Sequence, residues 1–243
     1  MEAYVILKNF YVLEGLDGAG TTTQARLLRD SIGEYIAKRV PGWDKLYVDK
    51  EPTDSDIGKV IRKALSNRME TPCNKDITDP DSKGFGSAFD TDVSTMAYLF
   101  AADRDNHVNN PSWGIKKRCE DGIVLCDRYM YSTFAYQMGC DMKRLIELNS
   151  EFPDPEVVIY VKTPVDECVR RMAERKGTPE IYENREYLKK VEHNYNLMFR
   201  RPGGVQRIIT VDGNQSPEKV CLSIMMKLEP VLDSYIKSCC KKN

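Results

Sequence analysis

The segment Gly15-Leu-Asp-Gly-Ala-Gly20-Thr-Thr-Thr-Gln24 constrains this chain more than any other. It follows the apolar run Phe10-Tyr-Val-Leu13, which reads as a buried strand. It leads into Thr22–Lys38, where Ala25, Leu28, Ile32 and Ile36 recur at helical spacing. Glycines at 15, 18 and 20 let the backbone turn its N–H groups inward onto an anion. The helix N-terminus behind them favours negative charge. Strand, glycine-rich turn and helix in that order read as a phosphate-binding loop, against the alternative of a plain glycine-rich connection. Its candidate contacts are Gly15, Gly18, Ala19, Gly20, Thr21, Thr22 and Thr23, with the Thr22 hydroxyl placed to reach Mg²⁺.

The loop departs from the full G-x-x-x-x-G-K-[ST] pattern, because Thr21 stands where lysine is usual. A threonine hydroxyl bonds phosphate but brings no charge, whereas the lysine neutralises the β- and γ-phosphates during transfer. Two readings stay open: a kinase in which another cation compensates, or a nucleotide-binding regulatory protein with little catalysis.

Further apolar runs at Leu46–Val48, Ile123–Cys126, Val157–Val161 and Arg207–Val211 read as strands. Helical stripes lie between them. They are Ile57, Ile61 and Leu65; Val93, Met96, Ala97, Phe100 and Ala101; a short helix within Pro111–Glu120; and Val165, Cys168, Val169 and Met172. Ser216-Pro217 is an N-cap followed by proline at the first helical position, opening a last helix. The alternation predicts a doubly wound α/β fold, a five-stranded parallel sheet with helices on both faces. Glu70–Asp92, polar and glycine-rich, reads as an inserted surface loop, about 70–92.

With 243 residues, 41% of them hydrophobic, the chain is expected to form one domain over 1–243. A net charge of −1 gives no footprint for nucleic acid or a membrane surface. No stretch approaches the ~20 apolar residues that span a bilayer. Met1–Lys8 does not read as a secretory signal. The eight cysteines form no C-x-x-C pair and suit a reducing, cytoplasmic setting. Neither histidine, His107 or His193, has cluster partners for a metal, and each reads as a surface or helix-end residue. Trp43 and Trp113 read as packing residues.

Other residues carry chemistry by position. Asp127-Arg128 follows the strand Ile123–Cys126 at its carboxyl end, where open α/β sheets bind ligands. There a carboxylate can order Mg²⁺ or its waters and an arginine can clamp phosphate, although on residues alone the two also fit a buried structural ion pair. Phe100 and Arg104 are i, i+4 on one helix face, a pairing that suits a flat base bearing a phosphate. On residues alone the same pair also fits a core ring and a surface ion pair. Arg171 and Arg175, again i, i+4, either form a basic lid over the phosphates or a solvated helix face.

Five stretches in order resemble the thymidylate kinase family: Gly15–Gln24, Lys50-Glu-Pro52, Leu99-Phe-Ala-Ala-Asp-Arg-x-x-His107, Asp127-Arg-Tyr-x-x-Ser132-x-x-Ala-Tyr-Gln137 and Pro153–Val161. The resemblance implies a P-loop nucleoside monophosphate kinase, a homodimer, ATP with Mg²⁺ as donor and dTMP as acceptor. It implies that Phe100 stacks on thymine, that Arg104 and Arg128 surround base and phosphate, and that Gln137 faces the base edge. Asp17 would hold the 3′-hydroxyl and Tyr182 would pack near the sugar. Lys50, Glu51, Ser132 and Tyr136 complete the acceptor set. Asp127, Arg128, Arg171 and Arg175 would be catalytic, Thr22 and Asp127 would hold the metal, and residues of about 170–184 would form the lid. Another nucleotide or nucleoside kinase of the same fold is the nearest rival.

Overall fold

The structure, a computed structural model, describes residues 5–70, 93–174, 185–199 and 207–240. Its strands are β1 (Ile6–Gly15), β2 (Leu46–Lys50), β3 (Ile123–Asp127), β4 (Asp154–Lys162) and β5 (Ile208–Asp212). They pair in parallel in the order β2-β3-β1-β4-β5. The helices are α1 (Thr21–Ala37), α2 (Asp56–Glu70), α3 (Val93–Asn109), α4 (Ile115–Arg118), α5 (Met130–Tyr136), α6 (Met142–Asn149), α7 (Val165–Ala173), α8 (Arg185–Met198) and α9 (Pro217–Cys240). They cover both faces of the sheet, α1 packing on α9 and α5 on α8. The doubly wound architecture is the one predicted.

The central strands are apolar throughout because both their faces are covered. Phe10 to Leu13, Ile123 to Cys126 and Val157 to Ile159 are all fully buried. Leu28, Ile32 and Ile36 of α1 supply the predicted stripe, and each is fully buried. Burying such a side chain is worth ~1.5–3 kcal/mol. A smaller cluster of Ile61, Ala64, Leu65 and Met96 locks α2 against α3.

Several elements differ from expectation. β1 runs on through Glu14 and Gly15, which stay in register with Tyr160 and Val161 of β4. The helix expected within Pro111–Glu120 shrinks to the four residues of α4. α5, α6 and α8 lie in segments where no helix was read; α6 is capped by Asp141, whose side chain accepts the Lys143 N–H. The expected 70–92 loop lies outside the described residues beyond Glu70, which still belongs to α2. The expected lid begins inside α7, and Arg175 and Tyr182 lie outside the described residues. Among the described residues no helix is long and apolar enough to cross a membrane.

What positions the site is strand order. The chain leaves β1 for the edge strand β2, returns to β3, then crosses to β4. The reversal opens a crevice beyond the carboxyl ends of β1 and β3, where ligands bind in such sheets. Gly15, Lys50 and Asp127 end three neighbouring strands at that edge, Lys50 directly opposite Asp127.

Candidate active site

Between β1 and α1 the chain makes its tight turn on two left-handed glycines, Gly18 at φ 83° and Gly20 at φ 102°. A Cβ on Gly18 would lie 2.5 Å from the Cys168 carbonyl oxygen at the start of α7. Only glycine lets α7 pack this close. Ala19 N–H closes the turn on Leu16 O at 2.9 Å. No side chain caps α1, whose Gln24 N–H is the amide that reaches back to Gly20 O. The preceding helix amides therefore have no helical acceptor, the arrangement that receives an anion.

A cavity of about 270 Å³ opens in front of this turn. Gly18, Gly20, Thr21, Thr22 and Thr23 line it; Gly15 and Ala19 shape the turn without lining it. Lys50, Glu51, Phe100, Arg104, Arg128, Ser132, Tyr136 and Gln137 line the same cavity, as do Asp17 and Asp127. Every expected acceptor residue within the described set thus converges on one volume. Arg62 and Leu65 of α2, and Thr133 of α5, line it too and were not read from sequence. Arg62 gave no signal beyond a helix face; its guanidinium donates to Pro52 O and Thr53 O.

The Thr22 hydroxyl donates to Asp127 Oδ2 at 2.6 Å. The other carboxylate oxygen, Oδ1, is buried with no hydrogen-bond partner among the described residues. A hydroxyl beside an under-satisfied carboxylate oxygen is the all-oxygen donor set that suits Mg²⁺.

Arg128 sits just past β3 with a left-handed backbone, φ 74°. Its guanidinium donates to Asp17 Oδ1 at 2.5 Å, Ser132 Oγ at 3.0 Å and Gly15 O at 3.1 Å. The Asp17 N–H donates to the Tyr136 hydroxyl at 2.9 Å, so the loop and α5 are tied at this corner. Arg104 is buried, not paired with a surface acid. It donates to Glu51 Oε2, Asn149 Oδ1 and Thr133 Oγ1. Phe100 is half-buried and faces the cavity one helical turn away.

One expectation needs correcting. His107 does lie in the last turn of α3, but it is buried rather than at the surface. Its Nδ1 bonds Glu51 Oε1 at 3.1 Å and its Nε2 bonds Asp49 Oδ2 at 3.3 Å. Burial alone would lower its pKa, yet the two carboxylates push it up to about 9. Burial likewise opposes the charge on Asp49, but His107 and Arg118 hold its carboxyl below the ordinary value. Arg171, expected over the phosphates, does not line the cavity. Its guanidinium donates to Gly213 O at 3.0 Å, Ala19 O at 3.3 Å and Gly18 O at 3.5 Å, with its Nε on Glu167. It grips the loop from α7, its Nη1 3.8 Å from where a Cβ on Gly20 would lie.

Comparison with known proteins fits this geometry. The thymidylate kinase family profile matches residues 13–77 and 85–224. A "Probable thymidylate kinase" of Methanococcus aeolicus is 33% identical over 229 residues, 91% of this chain and 96% of that one. Another of Pyrococcus abyssi is 39% identical over 189 residues, 76% of this chain and 80% of that one. The solved thymidylate kinase of Candida albicans superposes with a TM-score of 0.64 at 20% identity, covering 92% of each chain, a likeness of fold. The chain belongs to the thymidylate kinase family, and with it to the nucleoside monophosphate kinases.

Proposed function

We propose that this protein transfers the γ-phosphoryl group of ATP to dTMP, giving ADP and dTDP. The observation that carries the reading is that one cavity is lined by the glycine turn and Thr22–Asp127 together with Phe100, Arg104 and Gln137. Donor and acceptor held in one volume are what phosphoryl transfer requires, since positioning and charge neutralisation supply most of the catalysis.

In this reading the amides around Gly18–Thr23 hold the ATP phosphates. Thr22 and Asp127 hold Mg²⁺, whose charge, when bound, offsets that on the phosphate oxygens. Lys50 and Arg128 hold the acceptor phosphate. Phe100 stacks on the base, and Gln137, buried and lining the cavity, meets its edge. Asp17 serves the sugar hydroxyl, and the Arg104–Glu51 pair fixes the wall behind the base. Membership of the thymidylate kinase family argues against the weakly catalytic regulatory alternative.

A homodimer in the cytoplasm completes the proposal. Val60, Tyr98, Met142 and Ile146 are exposed apolar side chains on α2, α3 and α6, helices that pack in succession. Such a set invites a second copy. The described cysteines are free, as a reducing compartment requires. ADP release by the purified protein, measured with a panel of nucleoside monophosphates and nucleosides, tests the reaction. The expected order places dTMP first. Preference for an unphosphorylated nucleoside, or for a purine monophosphate, contradicts it.

A further inference from the structure

Glu14 is the last acidic residue of β1 and is fully buried. Its Oε1 accepts the Tyr129 N–H at 2.9 Å and the Ser132 N–H at 3.3 Å. Its Oε2 accepts the Ser132 hydroxyl at 2.7 Å and the Tyr195 hydroxyl at 2.8 Å. Four donors from α8 and from the turn that opens α5 therefore converge on one carboxylate. Burial pushes its pKa up to about 7, against the pull of those bonds and of Arg128. A buried carboxylate whose bonds are all made holds its partners in one geometry, and such a group can serve a positioning use.

That use is visible one bond away. Arg128 holds a left-handed backbone, a conformation side chains adopt only where surrounding structure over-determines it. Three contacts do so here. The Arg128 N–H donates to Leu13 O at 2.9 Å, the next amide is taken by Glu14, and Glu14 grips Ser132 at both amide and hydroxyl. The Ser132 oxygen then accepts from the Arg128 guanidinium at 3.0 Å. Guanidinium, hydroxyl and carboxylate form a relay running from the cavity wall into the sheet.

We propose that Glu14 is a positioning residue for the acceptor: its carboxylate holds the Arg128–Ser132 turn and, through Ser132, aims the Arg128 guanidinium into the cavity. It touches neither substrate. The inference rests on the role proposed above for Arg128, and it assigns Glu14 to acceptor binding, not to the adjoining phosphate loop.

Glu14→Gln tests it. The amide keeps the shape, its oxygen still accepts the two N–H groups, and its NH₂ can donate to hydroxyls free to rotate. What is lost is the negative charge behind Arg128. Initial rates are measured with dTMP varied at saturating MgATP and with MgATP varied at saturating dTMP. Glu14→Gln is expected to raise the dTMP KM at least about tenfold with the ATP KM within about twofold of wild type. Ser132→Ala, which cuts the relay, is expected to do the same, and the double variant to be no worse than the worse single variant. A folded Glu14→Gln with an unshifted dTMP KM, an equal rise in both KM values, or additive losses overturns the inference. If Glu14→Gln does not fold, Ser132→Ala decides by the same two KM values. Wild-type turnover is measured first. Its absence overturns this inference and the proposed reaction together, whereas turnover with unshifted variants overturns this inference alone.

Discussion

Thr22 and Asp127, 105 positions apart in sequence, are joined by a 2.6 Å hydrogen bond from the threonine hydroxyl to Asp127 Oδ2. The bond uses one carboxylate oxygen and leaves the other buried without a partner among the described residues. Buried acceptors are seldom left so. Asp127→Asn keeps the volume and removes the charge. It is expected to lower kcat roughly 10²–10³-fold, the range found when a group stabilising transition-state charge is lost. The rate should also need more Mg²⁺ to saturate. Rate measured against Mg²⁺ concentration checks this, and an unchanged saturation curve contradicts the metal assignment.

Gly18 and Gly33 should respond in opposite ways to alanine. At Gly18 a Cβ would meet the Cys168 carbonyl at 2.5 Å, on a backbone at φ 83°. Gly18→Ala is therefore expected to abolish detectable ATP binding in calorimetry, because the loop and α7 cannot both keep their places. At Gly33, inside α1, a Cβ meets nothing within 4 Å. Gly33→Ala is expected to raise stability by ~0.5–1 kcal/mol in denaturant unfolding, with activity kept.

His107 makes stability depend on pH. Asp49 from β2 and Glu51 just beyond it face the two ring nitrogens, Arg118 lies beyond Asp49, and the Trp113 ring lies alongside. The folded pKa of about 9 exceeds the ordinary 6.5. The imidazolium thus contributes its full stabilisation below about pH 6.5 and loses it as pH rises through about 9. Denaturant unfolding at pH 6 and pH 9.5 should show wild type losing on the order of 2–3 kcal/mol more than His107→Asn over that span. Imidazole proton shifts that titrate near 6.5 would contradict this.

Arg171 braces the loop, so its loss should act on the donor. Arg171→Ala removes the contacts to Gly18 O, Ala19 O and Gly213 O. The ATP KM is expected to rise about tenfold while the dTMP KM stays within about twofold. Thr21 lines the cavity, and a lysine there is expected to raise kcat/KM for ATP about tenfold. A lower value for Thr21→Lys would mean that the site is built around the hydroxyl.

Much of the site was legible because glycine punctuation and strand ends are local signals. The Gly15–Thr23 turn and Asp127-Arg128 at the end of β3 could be placed from spacing, and spacing put Phe100 and Arg104 on one face of a helix. What stayed hidden depends on partners far off in sequence. His107 looked like a surface residue because nothing local reveals Asp49, 58 positions before it. Glu14 gave no signal of its own because its partner Ser132 lies 118 positions on. Arg171 and Glu167 share a helix turn, but the carbonyls that take up the guanidinium come from the loop and from Gly213. α5 and α6 are short helices set by a turn and a cap, too brief for periodicity to declare.

The most direct test follows the phosphorus atoms. Purified protein, MgATP and dTMP are combined and ³¹P NMR is recorded over time. The expected result is ADP and dTDP appearing in equal amounts, with no inorganic phosphate beyond a control lacking enzyme. ATP left unchanged, or ATP consumed with inorganic phosphate and no dTDP, would contradict transfer between two nucleotides held in one cavity.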